Sequence, residues 1–243
     1  MSEHLIVIFI IFLAVFTQSL SGFGSALVAM ALLPAVMNIK VSTPLVALVI
    51  LTIEIFLLMH YRQTLNFGAV WRIIVASLAG VPFGLLLLSH ANERVVMVLL
   101  GIIIAGYGLY ALFEAFSGSI QLPKLEHPAW AYGAGVIAGI LGGAYNTSGP
   151  PVIMYGNCRR WGTAEFKGNL QGFFVPSSLV VVIAHAWNHN LTTEVWQLYL
   201  WSIPAMVFGI LAGTHLDRLI HPETFRRIVL FLLVILGTRL IIG

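Results

Sequence analysis

Apolar residues dominate eight long stretches of this chain, and short polar loops separate them. The stretches cover roughly residues 5–36, 44–60, 68–88, 95–116, 130–157, 168–185, 195–213 and 226–242. A helix needs about 20 mainly apolar residues to cross a bilayer core of roughly 30 Å, and most of these stretches have that length. The pattern therefore predicts an all-α integral membrane protein with about eight transmembrane helices.

The first and fifth stretches are too long for one upright helix, because an α-helix rises about 1.5 Å per residue. Glycine, proline and hydroxyl residues interrupt both stretches, and interruptions of this kind kink or break helices. We therefore expect each of the two to be a broken helix or a pair of half-helices.

The composition excludes several other classes of protein. Of the 243 residues, 59% are hydrophobic and 9% are charged, whereas soluble domains carry roughly 25% charged residues. The single cysteine, Cys158, rules out an internal disulfide and a cysteine-rich metal site. The net charge of +3 comes from basic residues in short loops, so we expect no nucleic-acid partner. His4 to Thr17 lacks the basic start and small-residue cleavage site of a signal peptide, which indicates a retained first helix.

The two halves of the chain match each other. Residues 117–129, which include Gly118, Pro123 and Pro128, form the longest loop and divide the chain near its middle. At an offset of about 125 residues, the matching pairs are Gly24 and Gly149, His60 and His185, Trp71 and Trp196, and Gly84 and Gly209. We therefore predict a first four-helix repeat over 1–116, a connecting loop over 117–129 and a second four-helix repeat over 130–243, each starting with a broken helix.

Basic residues in short loops favour the cytoplasmic side of a membrane and so predict the orientation. On a count of eight spans, one side collects Lys40, Arg94, Arg159, Arg160, Lys167, Arg218, Arg226 and Arg227, and the other keeps Arg62, Lys124 and Arg239. This bias puts both termini on the non-cytoplasmic side and makes the halves parallel. If the broken stretches re-enter the membrane instead of spanning it, the parity changes and the halves are inverted.

The helix breaks are the first candidate binding site. The candidate residues are Gln18, Ser21, Gly22, Gly24 and Ser25 at the first break, and Asn146, Thr147, Ser148, Gly149 and Pro150 at the second. A half-helix that begins near Gly24 or Pro150 directs backbone N–H groups and a partial positive charge toward the break, which suits an oxyanion. The alternative is that small residues merely permit close helix packing, and it applies chiefly to Gly22 and Gly24.

Ionisable and polar residues inside the stretches are the second set of candidates, because they are costly in a membrane and usually face an interior or a water-filled path. Glu54 is either a proton-binding site or a neutral carboxyl that bonds to a neighbouring helix. His60 and His185 are further proton-coupling candidates, although their place at segment ends favours the membrane interface. Lys167, Asn169 and Gln171 enter the sixth stretch from a basic loop. They could reach the same cavity, but Lys167 also suits an interfacial anchor.

These motifs resemble the TauE/SafE family of sulfite and sulfonate transporters, also called the toluene-sulfonate uptake permease family. The resemblance covers nearly the whole chain. Its best-matching segment runs from Gly139 to Pro151, and Ser21 to Ser25 is similar to the family's first signature but poorer in glycine. The resemblance implies an eight-helix carrier, built from a duplicated four-helix unit, that moves sulfite, sulfonates or related organic sulfur anions, often outward.

The leading hypothesis is therefore a secondary transporter in the cytoplasmic membrane for a small sulfur-containing anion, bound at the helix breaks near the bilayer midplane. Its partners are the anion, the lipid bilayer and a coupling proton or ion, with no cofactor, no resident metal and no defined oligomeric state. No nucleotide-binding loop is present. One alternative is an intramembrane enzyme that uses Ser21, Ser148 or Cys158 as nucleophile and His60 or His185 as base. The other is a divalent-metal carrier, although the stretches lack clustered Asp, Glu and His.

Overall fold

The computed structural model describes residues 2–117, 125–216 and 222–242, and these residues are almost entirely helical. The helices of the described ranges are α1 (Ser2–Ser21), α2 (Ser25–Leu32), α3 (Ile39–Tyr61), α4 (Phe67–His90), α5 (Glu93–Ser117), α6 (Ala129–Tyr145), α7 (Gly149–Cys158), α8 (Thr163–Trp187), α9 (Thr193–Leu216) and α10 (Pro222–Ile242). Two short 3-10 helices, Leu33–Ala35 and Arg62–Thr64, follow α2 and α3.

The helices confirm the predicted all-α membrane fold. Each of the eight apolar stretches corresponds to a helix or, for the first and fifth, to two helices separated by a break. The breaks fall at residues 22–24 and 146–148, inside the predicted motifs. Among the described residues, α3, α4, α5, α8 and α9 are long and apolar enough to cross a membrane, and α1, α2, α6 and α10 contain shorter apolar segments.

The helices group into two compact units. Unit 1 consists of Met1–Leu45, Ala91–Gln121 and Thr192–Gly243. In it, α1 packs on α9, α5 packs on α10, and α2 contacts α1, α5 and α10. Unit 2 consists of Val46–His90 and Leu122–Leu191, and in it α4 packs along α6 while α8 contacts α4, α6 and α7.

Each unit combines helices from both predicted repeats. In unit 1 the first helix of the first repeat (α1) packs on α9, the third apolar stretch of the second. In unit 2 the first helix of the second repeat (α6) packs on α4, the third apolar stretch of the first. Gly209 lies against Val15, and Gly84 lies against the backbone at Ile140; each position is 125 residues from its counterpart. A tandem duplication accounts for this reciprocal packing of helices from the two halves of the chain. The repeat boundaries at 1–116 and 130–243 stay a prediction.

Glycines allow α4 and α6 to approach until their backbones are in contact. A Cβ atom added to Gly135 of α6 would lie 2.5 Å from the Ile73 carbonyl oxygen and 2.6 Å from the Ala76 Cβ. A Cβ atom on Gly139 would lie against the carbonyl of Ser77. Small residues at helix contacts are the usual source of close packing in membranes, where the hydrophobic effect does not drive helices together. The α4–α6 pair is therefore a rigid part of unit 2.

Parts of the predicted loops lie outside the described residues. This applies to positions 118–124 of the predicted connecting loop, which include Lys124, and to Arg218. The side chains of Ser21 and Arg226 also lie outside the described part of the structure.

The glycine contact yields a stability prediction. We expect Gly135→Ala to destabilise the protein by about 1–3 kcal/mol, because the new methyl group meets backbone and cannot be accommodated by a side-chain rotation. Gly133→Ala on the same helix is the matched control. A Cβ atom there has no neighbour within 4 Å, and the substitution should leave the unfolding temperature in detergent unchanged or slightly raised. Equal unfolding temperatures for the two variants would contradict the close α4–α6 contact.

Candidate functional site

The second helix break is held by an asparagine in a left-handed conformation. Asn146 ends α6 with φ 57°, a conformation that asparagine tolerates better than most residues. Its N–H donates to the Gly142 carbonyl at 2.8 Å, and the Thr147 N–H donates to the Leu141 carbonyl at 3.2 Å. The first of these bonds, from a left-handed residue to the carbonyl four residues earlier, is that of the αL motif at a helix end, and the second closes a wider turn around it. The turn keeps the Leu141 and Gly142 carbonyls of α6 bonded.

The start of α7 has few backbone donors. Ser148 occupies the N-cap position, and its own side chain makes no capping hydrogen bond. The first turn then contains Pro150, which is buried, and Pro151, and proline has no N–H group. The sequence pattern predicted a row of free N–H groups near Pro150. The two prolines reduce that row to the N–H groups around Gly149, so side chains must supply most of the donors here.

Five polar side chains line a small cavity beside this break. The lining residues come from α4, from α8 and from the α6–α7 break, and they are Ser77, Val81, Gly142, Asn146, Ser148, Ser177, Ser178 and Val181. The volume open to the centre of a water molecule is about 10 Å³, which is roughly the space that one water needs. The cavity therefore combines hydroxyl and amide donors with the hydrocarbon of Val81 and Val181, and its lining carries no formal charge.

The hydroxyl groups around the break differ in their bonding. The Ser77 and Ser177 hydroxyls of the cavity lining form a hydrogen bond with each other at 3.4 Å, in which either can donate. The Thr147 hydroxyl and the Tyr145 phenol are fully buried, and neither has a hydrogen-bond partner among the described residues. A buried polar group without a partner costs about 1–3 kcal/mol. Neither side chain belongs to the set that lines the cavity.

The first helix break is stabilised by two glycines and a glutamine side chain. Gly22 and Gly24 adopt φ values of 85° and 103°, which glycine reaches without strain. The N–H and the hydroxyl of Ser25, the first residue of α2, both donate to Oε1 of Gln18. The side chain of Gln18 thus takes the place of an N-cap, and the first N–H of α2 is already bonded. The Nε2 group of Gln18 is buried and has no partner among the described residues.

The polar residues at the start of α8 lie away from the cavity lining. Lys167 Nζ lies 5.5 Å from the centre of the Tyr61 ring. The Asn66 N–H donates to Oδ1 of Asn169 at 2.8 Å, so that Asn169 holds the turn before α4. Gln171 is fully buried. None of these three residues belongs to the set that lines the cavity.

Of the three proton-coupling candidates, only Glu54 lies next to the cavity wall. It is buried in α3 and is hydrogen-bonded to Ser178. His60 is exposed at the end of α3, where its ring packs against Tyr61. His185 is fully buried near the end of α8, and Asn190 Nδ2 lies 3.1 Å from its Nδ1. Among the described residues, no group of three or more His, Cys, Asp or Glu residues could hold a metal ion.

Sequence reasoning missed Ser77, Ser177 and Ser178. They lie within apolar helices, where an isolated serine usually bonds to the carbonyl four residues earlier and has no further role. Two signals were present in the sequence. Ser177 and Ser178 follow Pro176 directly, and Ser77 matches Ser202 at the repeat offset of 125. Neither signal shows that residues 100 positions apart meet at one cavity.

Comparison with known proteins agrees with this architecture. The family described as "Sulfite exporter TauE/SafE" matches residues 7–240. The chain is 25% identical over 227 residues to a probable sulfite/organosulfonate exporter TauE of Cupriavidus necator, covering 93% of this chain and 88% of the relative. It is 29% identical over 182 residues to a probable inner membrane transporter protein TsaS of Comamonas testosteroni, covering 72% and 74%. No solved structure gives a significant match. The chain is a multi-pass membrane transporter, and it belongs to the sulfite exporter TauE/SafE family.

Proposed function

We propose that the protein moves a small sulfur-containing anion, such as sulfite, a sulfonate or a sulfoacetate-like compound, across the cytoplasmic membrane. The anion binds at the second helix break, in the cavity of unit 2. The observation that carries this proposal is the cavity itself, which collects Asn146 and Ser148 from the break with three serines from α4 and α8.

The chemistry of the cavity lining suits an anion with several oxygen atoms. Each serine hydroxyl and the Asn146 amide can donate to a sulfite or sulfonate oxygen. A hydrogen bond to a charged group contributes about 1.5–3 kcal/mol, so three or four neutral donors suffice for binding without a lysine or arginine. A site without a fixed positive charge also releases its anion readily, which a carrier requires.

The substrate class is inferred from the relatives. The family is described as a sulfite exporter family, and the relative from Cupriavidus necator is named a probable sulfite/organosulfonate exporter. Both descriptions name oxyanions of sulfur, which match the donors of the cavity. The valine side chains Val81 and Val181 provide an apolar wall on which the carbon chain of an organosulfonate can pack.

The proposal also includes the first break, where fewer hydrogen-bond donors are available to an anion. Gln18, Ser21, Gly22, Gly24 and Ser25 are its candidate residues, but Gln18 Oε1 already occupies the first N–H of α2. The donors that support binding there are Gln18 Nε2 and the Ser19 hydroxyl, which are buried and have no partner among the described residues. We therefore expect substitutions at the first break to weaken transport less than substitutions at the second.

Anion binding can be tested by thermal unfolding of the purified protein in detergent at fixed ionic strength. The ligands to compare are sulfite, thiosulfate, isethionate, sulfoacetate, taurine, phosphate and acetate. A ligand at 100 times its dissociation constant stabilises the folded state by about 2.7 kcal/mol. We expect at least one sulfur oxyanion to raise the unfolding temperature, and phosphate and acetate to have little effect.

The double variant Asn146→Gly/Ser148→Ala tests whether the stabilising anion binds at the second break. Glycine preserves the left-handed backbone of position 146, so the variant removes donors without straining the break. We expect the stabilisation by the anion to disappear in this variant. Ser89→Ala, which alters an exposed serine at the end of α4, should retain it. Undiminished stabilisation in the double variant would place the anion elsewhere.

The orientation of the chain can be tested with the single native cysteine removed. In a Cys158→Ser background, His127→Cys reports on the loop before α6 and Gly162→Cys on the loop after α7. Both positions are exposed, and a side chain at position 162 has no neighbour within 4 Å. We propose that both termini lie outside the cytoplasm and that the α6–α7 segment spans the membrane. A membrane-impermeant thiol reagent applied to intact cells should then label only His127→Cys. Labelling of both positions would instead mean that α6–α7 re-enters.

A further inference from the structure

Glu54 lies directly behind the wall of the cavity. Its side chain is 3% exposed and is hydrogen-bonded to Ser178, and Ser178 also lines the cavity. The second carboxyl oxygen, Oε2, has no hydrogen-bond partner among the described residues. One hydroxyl group therefore connects a buried carboxyl group with the proposed anion site.

No counter-charge accompanies Glu54. Within the described part of the chain, Ser178 is its hydrogen-bond partner and no cation forms an ion pair with it. Most other titratable groups on the helices around the cavity have their own neighbours: Lys167 and Tyr61, Glu165 and Asn66, His185 and Asn190, Arg72 and Trp71, His90 and Ser89, Tyr155 and Trp161, and His60 and Tyr61. Lys40 lies at the start of α3, about four turns from Glu54, and Tyr132 of α6 is exposed. Tyr145 on α6 is buried at the break and has no partner in the described ranges. The charge of Glu54 is thus not neutralised locally.

The single proton of the Ser178 hydroxyl can be donated in only one direction at a time. When Glu54 is ionised, its carboxylate only accepts hydrogen bonds, so Ser178 must donate to it. The hydroxyl then presents lone pairs to the cavity and repels an anion. When Glu54 carries a proton, its O–H can donate to Ser178, and the Ser178 proton is free to point into the cavity.

We propose that Glu54 and Ser178 form a proton-binding switch that couples protonation of Glu54 to anion binding in the cavity of unit 2. The inference rests on the proposed function, because it requires an anion in that cavity. Protonation turns Ser178 into a donor for the anion and removes the negative charge behind the wall. Ionisation of Glu54 reverses both effects and expels the anion.

Linkage sets the sign of the pH dependence. If the anion binds better when Glu54 is protonated, then bound anion makes Glu54 bind its proton more tightly by the same factor. Raising the pH therefore weakens anion binding, and binding at a pH where Glu54 is ionised takes up a proton from solution. Proton and anion are then carried in the same direction, which makes the protein a symporter.

The experiment measures the affinity of the purified full-length protein for isethionate by titration calorimetry between about pH 6 and pH 9. Isethionate is a sulfonate, and its single charge does not change over this range. Proton uptake on binding is recorded in parallel with a pH indicator in weak buffer. The variants are Glu54→Gln and Ser178→Ala. The matched controls are Glu114→Gln, a glutamate in α5, and Ser177→Ala, the neighbouring serine in the cavity lining.

We expect the wild type to lose roughly 10- to 100-fold in affinity as the pH rises and to take up protons on binding. Glu54→Gln, which mimics the neutral carboxyl, should bind with one affinity at every pH and take up no proton. Ser178→Ala should bind more weakly at low pH and show a flatter pH dependence. Ser177→Ala should bind more weakly but keep the full pH dependence, and Glu114→Gln should behave like the wild type.

Two results would overturn the switch. One is a pH dependence and proton uptake in Glu54→Gln equal to those of the wild type. The other is wild-type binding whose affinity is the same between about pH 6 and pH 9 and which takes up no proton, because linkage requires both effects. If thermal unfolding identifies a different sulfonate as the ligand, that sulfonate replaces isethionate in the titration. Binding without pH dependence removes only the switch, whereas no stabilisation by any sulfur oxyanion removes the proposed function as well.

Discussion

The hydrocarbon of a bilayer offers no hydrogen bonds, so every backbone group that leaves a helix within it must find a partner in the protein. This constraint decides what a helix break can look like. At the second break, Asn146 turns the chain while its own N–H and that of Thr147 bond back to the last carbonyls of α6. At the first, two glycines make the turn and the Gln18 side chain bonds the first N–H of α2. At both breaks, therefore, part of the backbone that leaves a helix is bonded locally.

The two breaks occupy matching places in the chain and yet differ in chemistry. Gln18 acts as an internal substitute for a bound anion at the start of α2, because its carbonyl oxygen accepts from the helix N-terminus. At the start of α7 the N-cap Ser148 makes no capping bond, but the two prolines also remove backbone donors. The polar character of the cavity at the second break therefore depends on hydroxyl groups from α4, from α8 and from Ser148. Under the proposed function, this asymmetry gives the first break a chiefly structural role and the second the binding of the anion.

The sequence predicts the helices and the positions of the breaks, because hydropathy and helix-breaking residues are local properties. It predicts the contents of the site only in part. Asn146 and Ser148 carry a local signal, since no helix continues through Asn-Thr-Ser-Gly-Pro-Pro. Ser77 and Ser178 carry none, because their role depends on the packing of α4, α6 and α8, and that packing depends on glycines such as Gly135 and Gly139. Lys167 and Asn169 have the right chemistry, but Tyr61 and Asn66 are their neighbours.

The size of the cavity sets a condition on transport. Space for about one water molecule does not hold a sulfite or sulfonate ion, so an anion that binds there must widen the cavity. The α4–α6 wall cannot widen easily, because glycines bring its two backbones into contact. The α7 helix is short and is joined to α6 through the turn at Asn146, and it meets α8 through side chains such as Phe174 at Gly149. Widening therefore requires movement of α7 and α8 against a fixed α4–α6 pair. That movement would shift Ser148, Ser177 and Ser178, and it would change the hydrogen bond between Ser178 and Glu54, because Glu54 belongs to α3.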